Sequence, residues 1–544
     1  MFLIRILIPL LLVTGCAGTP GLPGTLAFVL LLAFFSACRP LIDDSRIDEF
    51  FLRALLNSAS GSSSGTTEAC SGTQDYTQSF DLSSVDPAGA GIGYKITGQN
   101  ATDRFGISVG GAGDFNGDGI GDIIVGASLY NSNAGRIYVL FGRPGLGGDI
   151  DTTSMTTSDG ITIDDPGGNS RIGWNDTARG AGDFNGDGFG DIIFSGYQGG
   201  SNRGYSWVIL GSASPASIPT IGSITTAEGA RYRGASTAWW SGYGIGATGD
   251  INGDGLDDFV IGSYYGASNN GEAHVIYGKS SPTAASVDLN TIPGSYGFEV
   301  IGNSTYMYSV SGAGDLNGDG LGDIVLGSSD GSRTFVIYGE AGTGRTTINT
   351  SSLAASDGFT INTGADKLGQ STSGGGDFNG DGTPDFVSAY DRRTSDTGVT
   401  MLFYGDVGNL TVGSHSAAQG SLILGDNTNS LSGSSTSLRG DVNGDGLVDL
   451  LVGAQGADYT ATDSGAAHLI FGQSGIAAST TLNTFNNGTD GFRLDGPATN
   501  NMRLGASVDL SDVNGDGCAD LIMGANGNGT TIGEVYVIFG GKAE

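Results

Sequence analysis

Seven times along 544 residues the same run of oxygen donors returns: GDFNGDGIGD, GDFNGDGFGD, GDINGDGLDD, GDLNGDGLGD, GDFNGDGTPD, GDVNGDGLVD and SDVNGDGCAD. Each run places Asp, Asn and Asp at positions 1, 3 and 5, a variable residue at 7 and a further Asp at 9. The first three sets are Asp114, Asn116, Asp118, Ile120 and Asp122; Asp183, Asn185, Asp187, Phe189 and Asp191; and Asp250, Asn252, Asp254, Leu256 and Asp258. The fourth and fifth are Asp315, Asn317, Asp319, Leu321 and Asp323, then Asp377, Asn379, Asp381, Thr383 and Asp385. The last two are Asp441, Asn443, Asp445, Leu447 and Asp449, then Asp512, Asn514, Asp516, Cys518 and Asp520. Alternating side-chain oxygens, one main-chain carbonyl from position 7 and a closing Asp that can be bidentate offer a hard cation about six or seven ligands. Glycines at positions 4 and 6 allow the left-handed backbone needed to wrap a loop around an ion.

An all-oxygen, flexible set favours Ca2+ over Mg2+, which demands a tight octahedron, and there are no Cys or His ligands in the side-chain set to suggest zinc. Asp, Asn and Gly also build plain turns through Asx hydrogen bonds. A turn needs one such residue, however, not three carboxylates and an amide at fixed offsets in seven copies. Three carboxylates held close together repel unless a cation neutralises them, and seven divalent ions would offset 14 of the 33 excess negative charges of the chain. The expectation is up to seven structural Ca2+. An EF-hand closes on a Glu at position 12 between helices, whereas here an Asp closes at position 9 and a strand follows.

The runs recur every 62 to 71 residues, which leaves room for four short strands in each unit. A glycine-containing strand such as FGISVGGAG enters each loop and an apolar one such as IIVGA leaves it. An aromatic strand such as RIYVLFG and a more polar one such as GITIDD complete the unit. These runs of four to seven β-branched or aromatic residues, bounded by glycine, read as strands. The chain enters on a fourth-type strand, Gly93 to Gly98, and ends on a third-type strand, Glu534 to Gly540. The last unit therefore lacks its outer strand, and the amino-terminal one can supply it. The expected fold is all-β, a seven-bladed β-propeller of four-stranded blades, closed by the N-terminal strand completing the last blade, which removes open edges.

Taken together, RFGISVGGAGDFNGDGIGDIIVGAS followed by GRIYVLFG resembles the FG-GAP repeat of integrin α-subunit head domains. The resemblance spans roughly residues 79 to 540 and is looser in unit five, with Ser388-Ala389 where Gly-Ala is expected, and in unit four, with Tyr308-Ser309 for Phe-Gly. It implies a propeller with calcium in the loops between first and second strands on one face, and ligands bound on the other. This chain departs from that pattern in carrying a loop in all seven units. The opposite face is then built from fourth-to-first and second-to-third connections, and Trp174, Trp239, Trp240, Tyr264, Tyr265 and Arg392 on those connections are the expected ligand contacts. Tyr, Trp and Arg are the residue types that anchor interfaces.

Residues 1–38 read as an export segment, with a basic start at Arg5, two short apolar runs, and either Cys16 or Cys38 as a lipidation point or plain cleavage near Ala37. Residues 39–78 read as a short helix, Asp44 to Leu56, and a Ser/Gly tether, and residues 79–544 as the propeller. Cys70 and Cys518 are either a disulfide or two separate thiols. A net charge of −33 excludes nucleic acid as an electrostatic partner. Membrane attachment would come only through a lipid anchor. The three histidines, His274, His415 and His468, join no nucleophile-and-base motif, so no enzyme is expected. The expected function is a cell-surface or secreted calcium-binding module that binds an extracellular or envelope protein for adhesion. The alternatives are a carbohydrate-binding propeller and an architectural envelope protein.

Overall fold

The computed structural model describes residue 70, residues 73–74 and 80–82, and residues 92–544 apart from 145–147, 166–167, 267–269, 282–285, 303–305, 329–331, 394, 487 and 544. The expected export segment, the helix Asp44 to Leu56, the tether, Cys16 and Cys38 lie outside the described residues. Contacts divide the chain into two units, Met1–Thr67 and Glu68–Glu544, and every described residue lies in the second. Among the described residues no helix is long and apolar enough to cross a membrane.

Seven antiparallel blades follow one another. In blade one the strands are Phe105–Gly113, Asp122–Ala127, Arg136–Leu140 and Gly160–Asp164, paired in that order. The second strand of every blade is six residues long and buried, without interruption in six blades and up to its terminal Tyr390 in blade five. Its two faces are covered by neighbouring blades, so it carries a continuous apolar run rather than an alternating one. The apolar clusters accordingly lie between blades. Ile124, Val139 and Ile161 of blade one pack with Ile192, Phe194 and Trp207 of blade two.

Blades meet closely where second-strand glycines stand. A Cβ on Gly126 would collide with the carbonyl of Gly173 in the next blade, and one on Gly453 with that of Gly505. In blade five Ala389 stands at that register position, and the hydroxyl of the preceding Ser388 lies 2.8 Å from the Thr334 hydroxyl of blade four.

Ring closure is as the sequence implies. Gly93–Thr97 pairs antiparallel with Glu534–Ile538 as the fourth strand of blade seven, with Tyr94 opposite Val537 and Ile96 opposite Val535. The four-stranded blades also gain an edge the sequence did not announce. The connection between third and fourth strands of one blade lays a short parallel strand on the outer edge of the blade before it, as Ser286–Asp288 does on Gly229–Arg233 and Ile150–Asp151 on Gly93–Thr97. Phe80–Asp81 does this for blade six, beside Gly491–Asp495, and blade one receives the single bridge Ile163 to Ile218. Each outer edge is thereby covered, and each blade is tied to the next. Two further ties secure the seam: Thr73–Gln74 pairs parallel with Lys542–Ala543, and Cys70 is bonded to Cys518 across 448 residues of sequence.

Candidate metal centres and the opposite face

The seven acidic runs all connect first to second strands, so topology collects them on one face. Their glycines adopt the conformation expected: φ is 70 to 78° at position 4 and 84 to 92° at position 6 in every copy. The side chains repeat just as closely. In all seven, the Asp at position 1 accepts the N–H of position 6, as in Gly119 to Asp114 Oδ2 at 2.9 Å. The Asn at position 3 donates to the Asp at position 5 and accepts its N–H, as Asn116 does with Asp118 at 2.9 and 2.8 Å. The Asp at position 5 accepts the N–H of position 7, Ile120 in the first loop, at 2.9 Å.

The Asp at position 9 behaves differently. Asp122, Asp191, Asp258, Asp323, Asp385, Asp449 and Asp520 are all fully buried. One oxygen of each accepts the N–H of the glycine that follows the aromatic third strand: Gly142, Gly211, Gly278, Gly339, Gly405, Gly472 and Gly540, at 2.6 to 2.9 Å. In six loops the other oxygen accepts the N–H of position 2, as from Ile251 to Asp258 at 2.8 Å. This residue clamps the loop to the third strand, a role its place in a ligand pattern concealed. Burial pushes these carboxyls up, with neighbouring Asp side chains adding to the shift: Asp122, Asp323 and Asp385 to about 7, Asp191 and Asp258 to about 8, and Asp449 and Asp520 well above the usual range.

Position 7 also acquires a structural role. A Cβ on Gly117 would collide with the Phe189 ring of the next loop, and one on Gly186 with Leu256. The position-7 side chain thus packs on the position-4 glycine of the preceding loop in five of the seven contacts, Gly318 being open toward Thr383. In the seventh loop, Cys518 reaches Gly444 through its disulfide partner Cys70.

The donor set fits a hard divalent cation. Each loop carries carboxylates at 1, 5 and 9, an amide oxygen at 3 and a main-chain carbonyl at 7, and Asp114 Oδ1 is a buried carboxylate oxygen with no hydrogen-bond partner. Burying charge without a partner is costly. Among the described residues, no group of three or more His, Cys, Asp or Glu side chains is already drawn together to hold a metal ion, because the carboxylates are engaged by the loop's own N–H groups.

On the other face the fourth-to-first and second-to-third connections bring four of the six expected contacts into one aromatic cluster. Trp240 lies 4.9 Å from Tyr265 and 5.7 Å from Tyr264, and touches Tyr243 and Tyr197. Trp174 joins through Tyr197 at 6.1 Å, and Tyr264 stacks on Tyr306 at 4.6 Å. Trp239 shares only its carbonyl, accepting the N–H of Tyr265. Arg392 stands apart, 61% exposed beside Asp391. His274 and His468 are buried on third strands, and His415 bonds the main chain at Ala478.

Comparison with known proteins agrees with this arrangement. The FG-GAP repeat model matches residues 105–140, 241–276, 432–470 and 504–538, in blades one, three, six and seven. Integrin alpha-PS2 of Drosophila melanogaster is 30% identical over 206 residues, which is 35% of this chain and 13% of that protein. Integrin alpha pat-2 of Caenorhabditis elegans is 29% identical over 221 residues, 38% of this chain and 17% of that one. The chain thus covers less than a fifth of either relative. A solved streptogramin B lyase structure aligns at 12% identity and a TM-score of 0.42 over 81% of this chain and 96% of that one, a likeness too slight to bear on fold or function. Four of the seven blades match the FG-GAP repeat, and with the integrin relatives they support an FG-GAP, integrin-like β-propeller.

Proposed function

We propose that this chain is an exported binding module whose acidic loops hold structural Ca2+ and whose opposite face engages a protein ligand for adhesion at a cell surface. The observation that carries the reading is the division of chemistry between the two faces. One bears seven copies of a single oxygen-donor loop, and the other bears a half-exposed cluster of Trp and Tyr that differs from blade to blade. Integrin-like propellers are binding modules rather than enzymes, which accords with this division.

In each loop positions 1, 3, 5 and 9 and the carbonyl of position 7 would hold the ion. Bound Ca2+ would supply positive charge at a site where three carboxylates otherwise repel. The chain's own part is to present the donors on a left-handed turn and to anchor that turn through the position-9 clamp. The apolar start of the chain supports export, and a lipid anchor at Cys16 or Cys38 would keep the module at the surface.

Metal analysis of the purified protein, with pull-down from envelope extracts by the wild type and by Trp240→Ala, tests the proposal. It expects up to seven Ca2+ per chain and capture that Trp240→Ala removes. Fewer than about four Ca2+ would count against the metal sites, and capture indifferent to Trp240 would count against the face. A second reading, glycan binding, rests on the stacked rings of Trp240, Tyr243, Tyr264 and Tyr306. A glycan array positive in the absence of protein capture would favour it.

A further inference from the structure

One backbone position on the face away from the metal loops repeats around the ring with a variable side chain. Just before the first strand, or before the connection leading to it, six blades hold a non-glycine residue in the left-handed conformation: Arg104 (φ 54°), Arg171 (55°), Trp240 (52°), Lys367 (48°), Leu431 (52°) and Arg503 (57°). Each is followed two residues later by a glycine that is also left-handed. Any residue but glycine is strained there, so the fold imposes the position and the side chain is free to serve another purpose.

Arginine fills this position in blades seven, one and two, which are consecutive in the closed ring. The Cζ atoms of Arg104 and Arg171 stand 5.6 and 5.2 Å from the centre of the Trp174 ring. The Nε atoms of all three arginines are buried and have no hydrogen-bond partner, while each side chain remains half-exposed. Among the described residues, the one carboxylate within ion-pair distance of the three is Asp463, 3.6 Å from Arg503. The Arg104 guanidinium is drawn below its ordinary value by burial first, and then by the charges of Arg503 and Arg171. Three cations that partly repel one another, with buried unsatisfied N–H groups, form an arrangement that an anion would relieve.

We propose that the arc of Arg503, Arg104 and Arg171 around Trp174 receives a carboxylate-bearing segment of the protein ligand. Guanidinium forks match carboxylates in a bidentate way. The Trp174 ring is already engaged by two guanidiniums and by Tyr197, which favours an acidic peptide over a sugar that would need that ring for stacking. In a chain of net charge −33, an acidic segment is repelled nearly everywhere else, so the arc sets where it lands. Tyr197 continues from Trp174 to Trp240 at 5.5 Å, giving the remainder of the segment an aromatic floor. The proposal rests on the reading of this face as the binding face.

The test uses the full chain in calcium buffer with a fluorescein-labelled (Gly-Asp)4 peptide, its (Gly-Asn)4 counterpart and a heparin fragment, read by anisotropy. The Asp peptide should bind at least about tenfold more tightly than the Asn peptide, and Arg104→Gln should weaken it about tenfold. Arg104→Lys should restore part of the loss. Arg143→Gln, beside Asp159 near the metal loops, should change nothing, and an unaltered melting curve for Arg104→Gln excludes misfolding. Equal binding of the two peptides, an equal loss in Arg143→Gln, or binding of heparin alone would overturn the arc. If the Asp peptide fails to bind while Trp240→Ala still abolishes protein capture, the arc falls and the face stands. If the peptide binds as expected but capture ignores Trp240, the arc stands and the aromatic part of the face falls.

Discussion

The two faces of this propeller use repetition in opposite ways. On the acidic-loop face, hydrogen bonds at positions 1, 3 and 5 recur in every blade, and φ at position 4 varies by only 8° across seven copies. On the other face the backbone also repeats, holding one left-handed residue before each first strand in six blades, but the side chains there are Arg, Arg, Trp, Lys, Leu and Arg. A feature that every blade shares supports the ring as a whole, since in most loops the position-7 side chain packs on the loop before it. A feature that changes while the backbone stays fixed distinguishes one sector of the ring from another, which is what recognition requires.

The largest expected effect breaks the shared face. If free calcium stands about tenfold above each dissociation constant, seven sites contribute on the order of 10 kcal/mol. Excess chelator should then lower the melting temperature by about 10 °C in calorimetry. An unchanged melt would sink the structural role of the metal.

Next comes the covalent tie in the seventh loop. Cys70→Ser should destabilise the chain by about 2–5 kcal/mol under oxidising conditions, and should have no effect once the wild type is reduced. A smaller loss under oxidising conditions would mean that the strand pairings alone close the seam.

A third prediction concerns the interior that both faces share. Burial draws His274 down to about 4, opposed in part by its hydrogen bond to Leu289, and Glu272 lies 3.9 Å away. An unfolded histidine titrates near 6.5, so the unfolded chain takes up a proton that the folded chain refuses. Stability should therefore fall as pH drops from about 6.5 to about 4, by up to about 3 kcal/mol. The difference between wild type and His274→Gln in denaturant titrations isolates this contribution, and a difference that does not vary with pH refutes it.

The fourth separates two roles within one loop. Asp258→Asn should cost about 2 kcal/mol even in chelator, because one of two buried N–H groups loses its acceptor. Asp250→Asn should lose metal affinity with little change in the metal-free melt. Equal behaviour of the pair would erase the distinction between clamp and ligand. The smallest effect belongs to the variable face: Lys367→Gln, exposed in blade five, should move stability by no more than about 0.5 kcal/mol.

Much of the architecture was legible because it depends on local chemistry. Strand runs bounded by glycine, the 62- to 71-residue spacing and the leftover strand at each end pointed to seven blades and the closure through Gly93–Thr97. The left-handed glycines of the acidic loops followed from residue type alone. Less legible were features made by residues distant in sequence. The parallel edge strand Ser286–Asp288 is too short and too polar to announce itself. Of the six expected ligand contacts, Trp174, Trp240, Tyr264 and Tyr265 came together, while Trp239 and Arg392 did not, since neighbours on a face are chosen by blade geometry rather than by residue type. The one signal for the arginine arc was the recurrence of Arg before an apolar residue and glycine, in RFG, RIG and RLG.

The sequence by itself thus determined the blade count, the closing strand and the place of every acidic loop, because periodicity and φ preference are properties of short stretches of chain. Only the tertiary structure decided that the ninth Asp is a buried clamp, that position 7 packs on the loop before it, and that Arg503, Arg104 and Arg171 share one sector. Each of these depends on curling the chain into a ring, which brings residues as distant in sequence as Arg104 and Arg503 into one sector.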